Sequence, residues 1–538
     1  MLLAAAMVCT LLAACGGGTS SSGSSSTGGD TSSTGGDVGG EFNPGLKNLP
    51  LVENKGDYTF SIFCDDSSAT GEFAMLPILE EQTNVVVDLR IMENSNAKTR
   101  LNLDLNANEY ADVVGGWLLS ETDILKYGVQ QKVFIPLEDI YEEYCPRITE
   151  ILNLPGVREE MTASDGHIYT IPYVTGDTTV GYTPYISETW LKNVGMEMPK
   201  TTDEFAEVLR AFKAQDANGN GDPNDEIPFS TDPDNKHLEA MTGYFGLPMD
   251  KDGRGILDGK VVYAGISPQY REFLIWFSGL YKEGLIDPEV STQDTSVWEG
   301  KGNRGIIGCS IAYGSGEFSG EQMTTPEERP SYSPLPVLNA DNGGIWLRDT
   351  TGFSVFNTQA AITDKAEHPE IIARWFDNAF SLENGIGCNM GPVGVVVKKE
   401  GDDYVKYQLD DLGLSDEEKE KLGWGNLWMQ SMPKYLPKDF EVVEEGKLYD
   451  EKKAIQKFYE PNLTEGVIPK VKIAEEDMET YSDYSTLITN YFTGQQAQFI
   501  AGKLDASDDA TWQAYVDGFK AQNLEEYCRI LGVEEIIE

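Results

Sequence analysis

Apolar and polar positions alternate along Tyr58–Cys64 (YTFSIFC), and apolar residues crowd Asn84–Ile91 (NVVVDLRI), predicting two strands. Gly71–Thr83 between them carries a helical pattern, and Asp112–Gly116 (DVVGG) predicts a short buried strand running into a glycine turn. Strands alternating with helices at this spacing predict βαβ units and an open, largely parallel sheet. Ligands of such sheets sit at the carboxyl ends of the strands, so the positions after Cys64 and after Gly116 are candidate site positions.

Gly166–Pro172 and Gly181–Pro184 flank a polar connector, Tyr173–Val180. Beyond it Thr201-Thr202-Asp203-Glu204 forms a capping box. Phe205, Val208, Leu209 and Phe212 follow at i, i+3, i+4 and i+7, an amphipathic helix. Further helices are predicted at Tyr270–Glu283, with Gly284 as the stop, and at Pro369–Phe380, where Pro suits the first turn. Two more are expected around Tyr484–Ala501 and Asp509–Gln522.

The apolar run Leu2–Ala14 is too short to span a bilayer, which takes about 20 residues. It fits the apolar region of an export signal spanning 1–14, although no Lys or Arg precedes Lys47. Leu12-Ala13-Ala14-Cys15 resembles a bacterial lipobox, which makes Cys15 the expected lipidation site. An ordinary signal with an incidental cysteine is the alternative. Gly16–Gly40 holds only Gly, Ser, Thr, Asp and one Val, so 15–45 is expected to be a lipidated, disordered tether. About 490 residues remain, more than one core normally serves, so two lobes are expected. A formal net charge of −48 disfavours nucleic acid as a partner and argues against lying flat on anionic lipid. Cys64, Cys145, Cys309, Cys388 and Cys528 are scattered without CxxC spacing, which argues against a metal cluster or a dense disulfide framework.

Directly after the 202–215 helix, Asp216, Asn218 and Asn220 occupy positions one, three and five of a loop with Gly221 at six. This is the EF-hand arrangement, in which alternating oxygens converge on one centre and glycine permits the sharp turn. Position twelve is Ile227, so Asp225 or Glu226 must close the loop. The expectation is a structural Ca²⁺ held by Asp216, Asn218, Asn220, Asp225 and Glu226, with Asp222 giving its carbonyl. A solvated Asn-Gly turn is the plain alternative.

The three histidines, His167, His237 and His368, lie in no nucleophile motif, and HExxH, GxxxxGK[ST] and GxGxxG are absent. No catalytic reading follows. Of nine Trp, Trp190, Trp276, Trp375 and Trp512 sit on helical stripes and read as core. Trp117, Trp298, Trp346, Trp424 and Trp428 fall outside them. Flat rings near polar groups make sugar sites, so Trp117, Trp346, Arg348, Trp424 and Trp428 are candidate ligand contacts, with packing the equal alternative for each Trp.

Taken in order, Cys15, Tyr110–Trp117 (YADVVGGW), Asp165–Pro172 (DGHIYTIP), Thr189–Gly195 and Pro199–Glu204 resemble one family. The Asp216–Pro228 loop, Leu280–Glu289, Trp375–Gly391, Phe499–Gly502 and Thr511–Val516 continue the resemblance along nearly the whole mature chain. The family is that of bacterial extracellular solute-binding proteins (family 1) of the large oligosaccharide-binding type, the lipoproteins of ABC importers. Alginate-binding members carry a similar calcium loop. Where relatives often have Arg-Lys before the Trp-Leu pair, this chain has Ser187-Glu188-Thr189, which argues against an acidic glycan.

The resemblance implies an α/β, two-lobe periplasmic-binding-protein-like (type II) fold with an interlobe cleft. Residues 50–175 plus 350–400 would form one lobe and 180–348 plus 405–538 the other. Crossings are expected near Tyr173–Tyr182, Thr350–Ser354 and Gly394–Tyr407. The implied role is non-catalytic capture of an oligosaccharide for the permease subunits of an ABC importer, by a monomer tethered outside the cell membrane through lipid alone. Capture of another solute such as a peptide, or a lipidated surface glycoside hydrolase or lyase, are the alternatives.

Overall fold

The computed structural model describes residues 47–538 apart from 66–71, 93, 177–179, 233–237, 320–330, 341–342, 350–352, 402, 429–431, 438–441 and 444–453. The export run, Cys15 and the tether therefore lie outside the described residues.

The predicted βαβ opening is present. Strand β1 (Thr59–Asp65) pairs in parallel with β2 (Val86–Met92) and β3 (Val113–Gly115), with Ile62 opposite both Leu89 and Val113. Strand Ala360–Ile362 closes the sheet antiparallel to β3. Helix Pro369–Ala379 turns Ile371, Ile372, Trp375 and Phe376 inward, and Trp375 meets Phe60 of β1 edge-on at 5.5 Å. Together these residues form a first core, running from Leu51 to Val174 and again from Val355 to Met432.

A second, larger core gathers Val180–Trp346 and Ile455–Leu531. Helix α1 (Thr202–Ala214) starts where the Thr201 hydroxyl accepts the Glu204 N–H at 3.1 Å, and it buries Phe205, Val208, Leu209 and Phe212 as the spacing predicts. Helix α2 (Pro268–Lys282) is capped by Ser267 and buries Tyr270, Phe273, Leu274, Phe277 and Leu280. Burying such side chains contributes roughly 1.5–3 kcal/mol each relative to exposure. Two cores separated along the sequence in this interleaved way are the two lobes.

The first core runs to Val174 and resumes at Val355, while the second takes in Val180 to Trp346. Two strands lie at these crossings: β4 (Tyr173–Gly176) runs antiparallel to β5 (Phe353–Phe356), with Tyr173 opposite Phe356. Residues 397–400 and 403–406 form a hairpin around Gly401, and Val397 and Tyr404 pack with Ile386 and Leu436. A two-residue strand, β6 (Tyr435–Leu436), then pairs with β4. Trp428 and Met432 belong to the first core. The second core resumes at Ile455. Trp298 also departs from its loop reading. It lies buried on helix Thr295–Asn303, its indole N–H donating to Ser310 Oγ at 3.0 Å.

Among the described residues no helix is long and apolar enough to cross a membrane.

Candidate functional site

The first lobe contributes the carboxyl ends of β1 and β3. β3 runs into Gly116 at φ +89°, a left-handed conformation that glycine adopts without penalty. That turn delivers the Trp117 N–H to the buried Asp65 carboxylate at 2.9 Å. The Trp117 indole is left 53 % exposed. It meets Phe356 edge-on at 5.5 Å, and Phe356 lies 4.8 Å from Tyr173 across the β4–β5 register. Lys434 Nζ stands 5.3 Å from the Tyr173 ring centre. An aromatic row thus runs from a strand end in the first lobe onto the crossing strands.

The second lobe answers with carboxylates and two phenols where the first crossing enters it. The Gly181 N–H donates to Asp349 Oδ2 at 2.7 Å, tying the first crossing to the second. Tyr182 and Tyr313 stand ring to ring at 5.8 Å. Tyr313 follows strand Cys309–Ala312, and its N–H donates to Glu317 Oε2 at 3.2 Å. Burial, then the nearby Glu317 and Asp232 carboxylates, push the Tyr182 phenol above its usual range, so it is a neutral hydroxyl at physiological pH.

Asp232 follows a segment held from behind by a buried polar network. Gln293 donates to Ser230 Oγ and the Thr231 carbonyl, while Lys301 Nζ donates to Asp287, Glu289 and Gln293, each at 2.8 Å. A buried ammonium so fully partnered is paired rather than stranded. Thr295 Oγ1 donates to Asp232 at 3.1 Å. A cavity of about 280 Å³ continues from Tyr182 and Asp349 to Glu239, Asp250, Arg254 and Trp346.

The sequence-predicted aromatics divide sharply by burial. Trp117 is exposed, but Trp346 is 1 % exposed, wedged between Tyr459 at 5.3 Å and Tyr244 at 5.8 Å. Trp428 is equally buried, 5.9 Å from Trp375, with its N–H on the Pro433 carbonyl. The Arg348 guanidinium is engaged by the Thr464 carbonyl at 3.3 Å and Glu460 at 3.6 Å. Trp424 opens the short turn Trp424–Asn426, and its side chain lies outside what is described. Sequence reasoning marked the position after Cys64, where Asp65 stands, but singled out none of Tyr173, Phe356, Tyr182, Tyr313, Asp232, Glu317 and Asp349 as candidate ligand contacts. Its rule that ligands sit at strand ends points to Asp65 directly.

The Asp216–Glu226 loop folds upon itself. Asp216 Oδ2 accepts the Gly221 N–H at 2.9 Å, Asn218 Oδ1 that of Asn220, and Asn220 Oδ1 that of Asp222. Asn218 and Asn220 donate their amides to Asp225, and Glu226 Oε1 accepts the Ala217 N–H at 3.0 Å. Two carboxylate oxygens, Asp216 Oδ1 and Glu226 Oε2, are buried without a hydrogen-bond partner. Burial pushes the Glu226 carboxyl above its usual range. Buried anionic oxygens of this kind call for a cation. The donors are divided between acids and amides, and among the described residues no three His, Cys, Asp or Glu side chains converge as a metal cluster. The loop leads directly into the Ile227–Asp232 segment, whose Ile227 bridges Ile307 and Phe229 bridges Ile286.

No protein-family model matches the chain. It is 27 % identical over 478 residues to the fructooligosaccharide ABC transporter substrate-binding protein FusA of Streptococcus pneumoniae, covering 85 % of this chain and 86 % of that one. It is 25 % identical over 389 residues to lipoprotein LipO of Bacillus subtilis, covering 68 % and 72 %. Its fold superposes on FusA in complex with kestose at a TM-score of 0.73 and 26 % identity, spanning 88 % of this chain and 98 % of FusA. An EF-hand mutant of FusA with fructo-nystose gives the same score at 25 % identity. Two interleaved cores, paired crossing strands and shared sequence over most of the length make this chain similar to substrate-binding proteins of ABC transporters.

Proposed function

We propose that the cleft captures an oligosaccharide and presents it to the permease subunits of an ABC importer, without catalysis. What supports this is the exposed Trp117 ring, which continues through Phe356 to Tyr173 on the crossing strands, with Tyr182, Tyr313 and Asp349 grouped where the chain enters the second core. Apolar ring faces stack on the CH-rich faces of sugars, while carboxylates and phenols take their hydroxyls. The lobes (roughly 50–175 with 350–436, and 180–348 with 455–538) would close on the ligand, which stabilises the closed state by its differential affinity for it. Trp346 and Trp428 serve this reading as the packed supports behind the walls. Titrating the mature domain with a glycan panel should quench or shift Trp fluorescence for the matching oligosaccharide and leave that sugar chemically intact. Cleavage of the sugar would instead favour the hydrolase or lyase reading.

The fit of the 216–226 loop to Ca²⁺ rests on its two unpartnered buried oxygens. Asp216, Asn218, Asn220, Asp225 and Glu226 would hold the ion with the Asp222 carbonyl, and its role would be to brace the loop. Cys15 is the lipid attachment point in this reading, and the domain acts as a tethered monomer at the outer face of the cell membrane. Two acyl chains are needed for stable anchoring, because one holds only marginally. Cys15→Ser should move the protein from the membrane fraction into the medium.

A further inference from the structure

Resting on the capture reading above, we infer that the cavity beside Tyr182 is a subsite for one end unit of the oligosaccharide, so that the protein grades its ligands by chain length. The cavity is lined by Tyr182 and Asp349, which it shares with the group that includes Tyr313, so it adjoins the proposed cleft. Its volume is about 280 Å³. Pockets for drug-sized ligands run to ~300–1,000 Å³, so this one suits a small unit rather than a whole chain.

The lining has the two-sided chemistry of a sugar ring. Ala240, Trp346 and Leu347 give apolar surface for its CH groups, and the turn Asp250–Arg254 gives a polar rim for its hydroxyls. That turn is built around Gly253. Its φ of +77° is left-handed, and an added Cβ would lie 2.7 Å from the Tyr263 ring, so the position requires glycine. Asp250 Oδ1 accepts the N–H groups of Asp252 and Arg254, each at 2.9 Å. Arg254 donates Nε to Asp250 Oδ2 at 3.0 Å and Nη1 to the Pro469 carbonyl at 3.1 Å, which fixes its fork from two sides. Lys251 Nζ donates to Asp252 Oδ1 at 3.0 Å. The rim therefore presents carboxylate acceptors and cationic donors side by side. A sugar hydroxyl both donates and accepts, so one ring can engage both kinds of group. Hydrogen bonds with a charged partner are roughly twice as strong as neutral ones. The Asp250–Arg254 pair is already in place, which lowers the ordering cost of binding.

Calorimetric titration of the mature protein tests this, using fructo-, malto-, cello- and xylo-oligosaccharides from disaccharides to pentasaccharides. Within a series that binds, the unit that enters the cavity should raise affinity at least ~10-fold, and units beyond it should add little. Ala240 is half-buried on the short helix Leu238–Phe245. Ala240→Phe, which fills the cavity, should bring the longer ligand down to the affinity of the shorter one at an unchanged melting temperature. Asp252→Ala changes only the partly exposed rim and should shrink the same step, which keeps the test decisive if Ala240→Phe fails to fold. Binding indifferent to length, or a step that persists in the folded variants, would overturn the subsite and leave the capture reading standing. No binding by any series would overturn both.

Discussion

Trp117 and Trp346 are indoles in similar sequence surroundings, each close to a glycine and a strand or crossing, yet their roles differ. The difference comes from partners distant in the chain. Tyr244 and Tyr459 close over Trp346 from both sides, whereas Trp117 meets one ring, Phe356, at its edge. No local pattern encodes those partners, which is why both residues read alike from sequence. Trp346→Ala should cost about 3–5 kcal/mol, the usual penalty for emptying a packed aromatic site. Trp117→Ala should leave the melting temperature nearly unchanged while weakening oligosaccharide binding, since an aromatic contact contributes about 0.5–1.5 kcal/mol beyond its area. Paired calorimetric scans and titrations separate the two. Equal destabilisation by both variants would assign Trp117 to packing.

The calcium-like loop was legible in the sequence because its information is local. Oxygens at alternate positions and a glycine at the sixth can be read within eleven residues, and the resulting turn hydrogen bonds are present. The strand-end carboxylates carry no such signature. Asp232, Glu317 and Asp349 come from three separated segments, joined by parallel bridges such as Ile227–Ile307 that sequence does not announce. The helices were equally legible, since capping and 3.6-residue spacing are local too. A cation at the loop that binds only the native state stabilises it by about 2.7 kcal/mol at a hundred times its dissociation constant. Chelation should therefore lower the melting temperature of the wild-type domain. In Asp216→Ala, which removes one of the two unpartnered oxygens, chelator should have no effect. A wild-type melting curve indifferent to chelator would reject the metal.

At the scale of the whole molecule, the lobes also touch beside the crossing strands. Leu125 of the first lobe packs with Ile473 and Ile530 of the second. Lys470 and Lys472, on the segment leading to Ile473, reach Glu160 and the carbonyls of Val355 and Glu159. The sequence did not reveal this contact, because two lysines in a polar stretch look like solvated charge. In a chain with a net charge of −48, two lysines bridging acidic lobes offset part of the repulsion that would otherwise spread them. The Lys470–Glu160 pair is partly exposed on both sides, so its contribution is about 0.2–1 kcal/mol and falls with salt. Lys470→Met should shift the ligand-free domain toward more open forms, seen as a larger radius of gyration in small-angle scattering. Its oligosaccharide affinity should drop by at most about fivefold, the equivalent of that energy, because no ligand contact is removed. Lys470→Arg should restore both values. An unchanged radius of gyration in Lys470→Met would show that the contact follows lobe position rather than setting it.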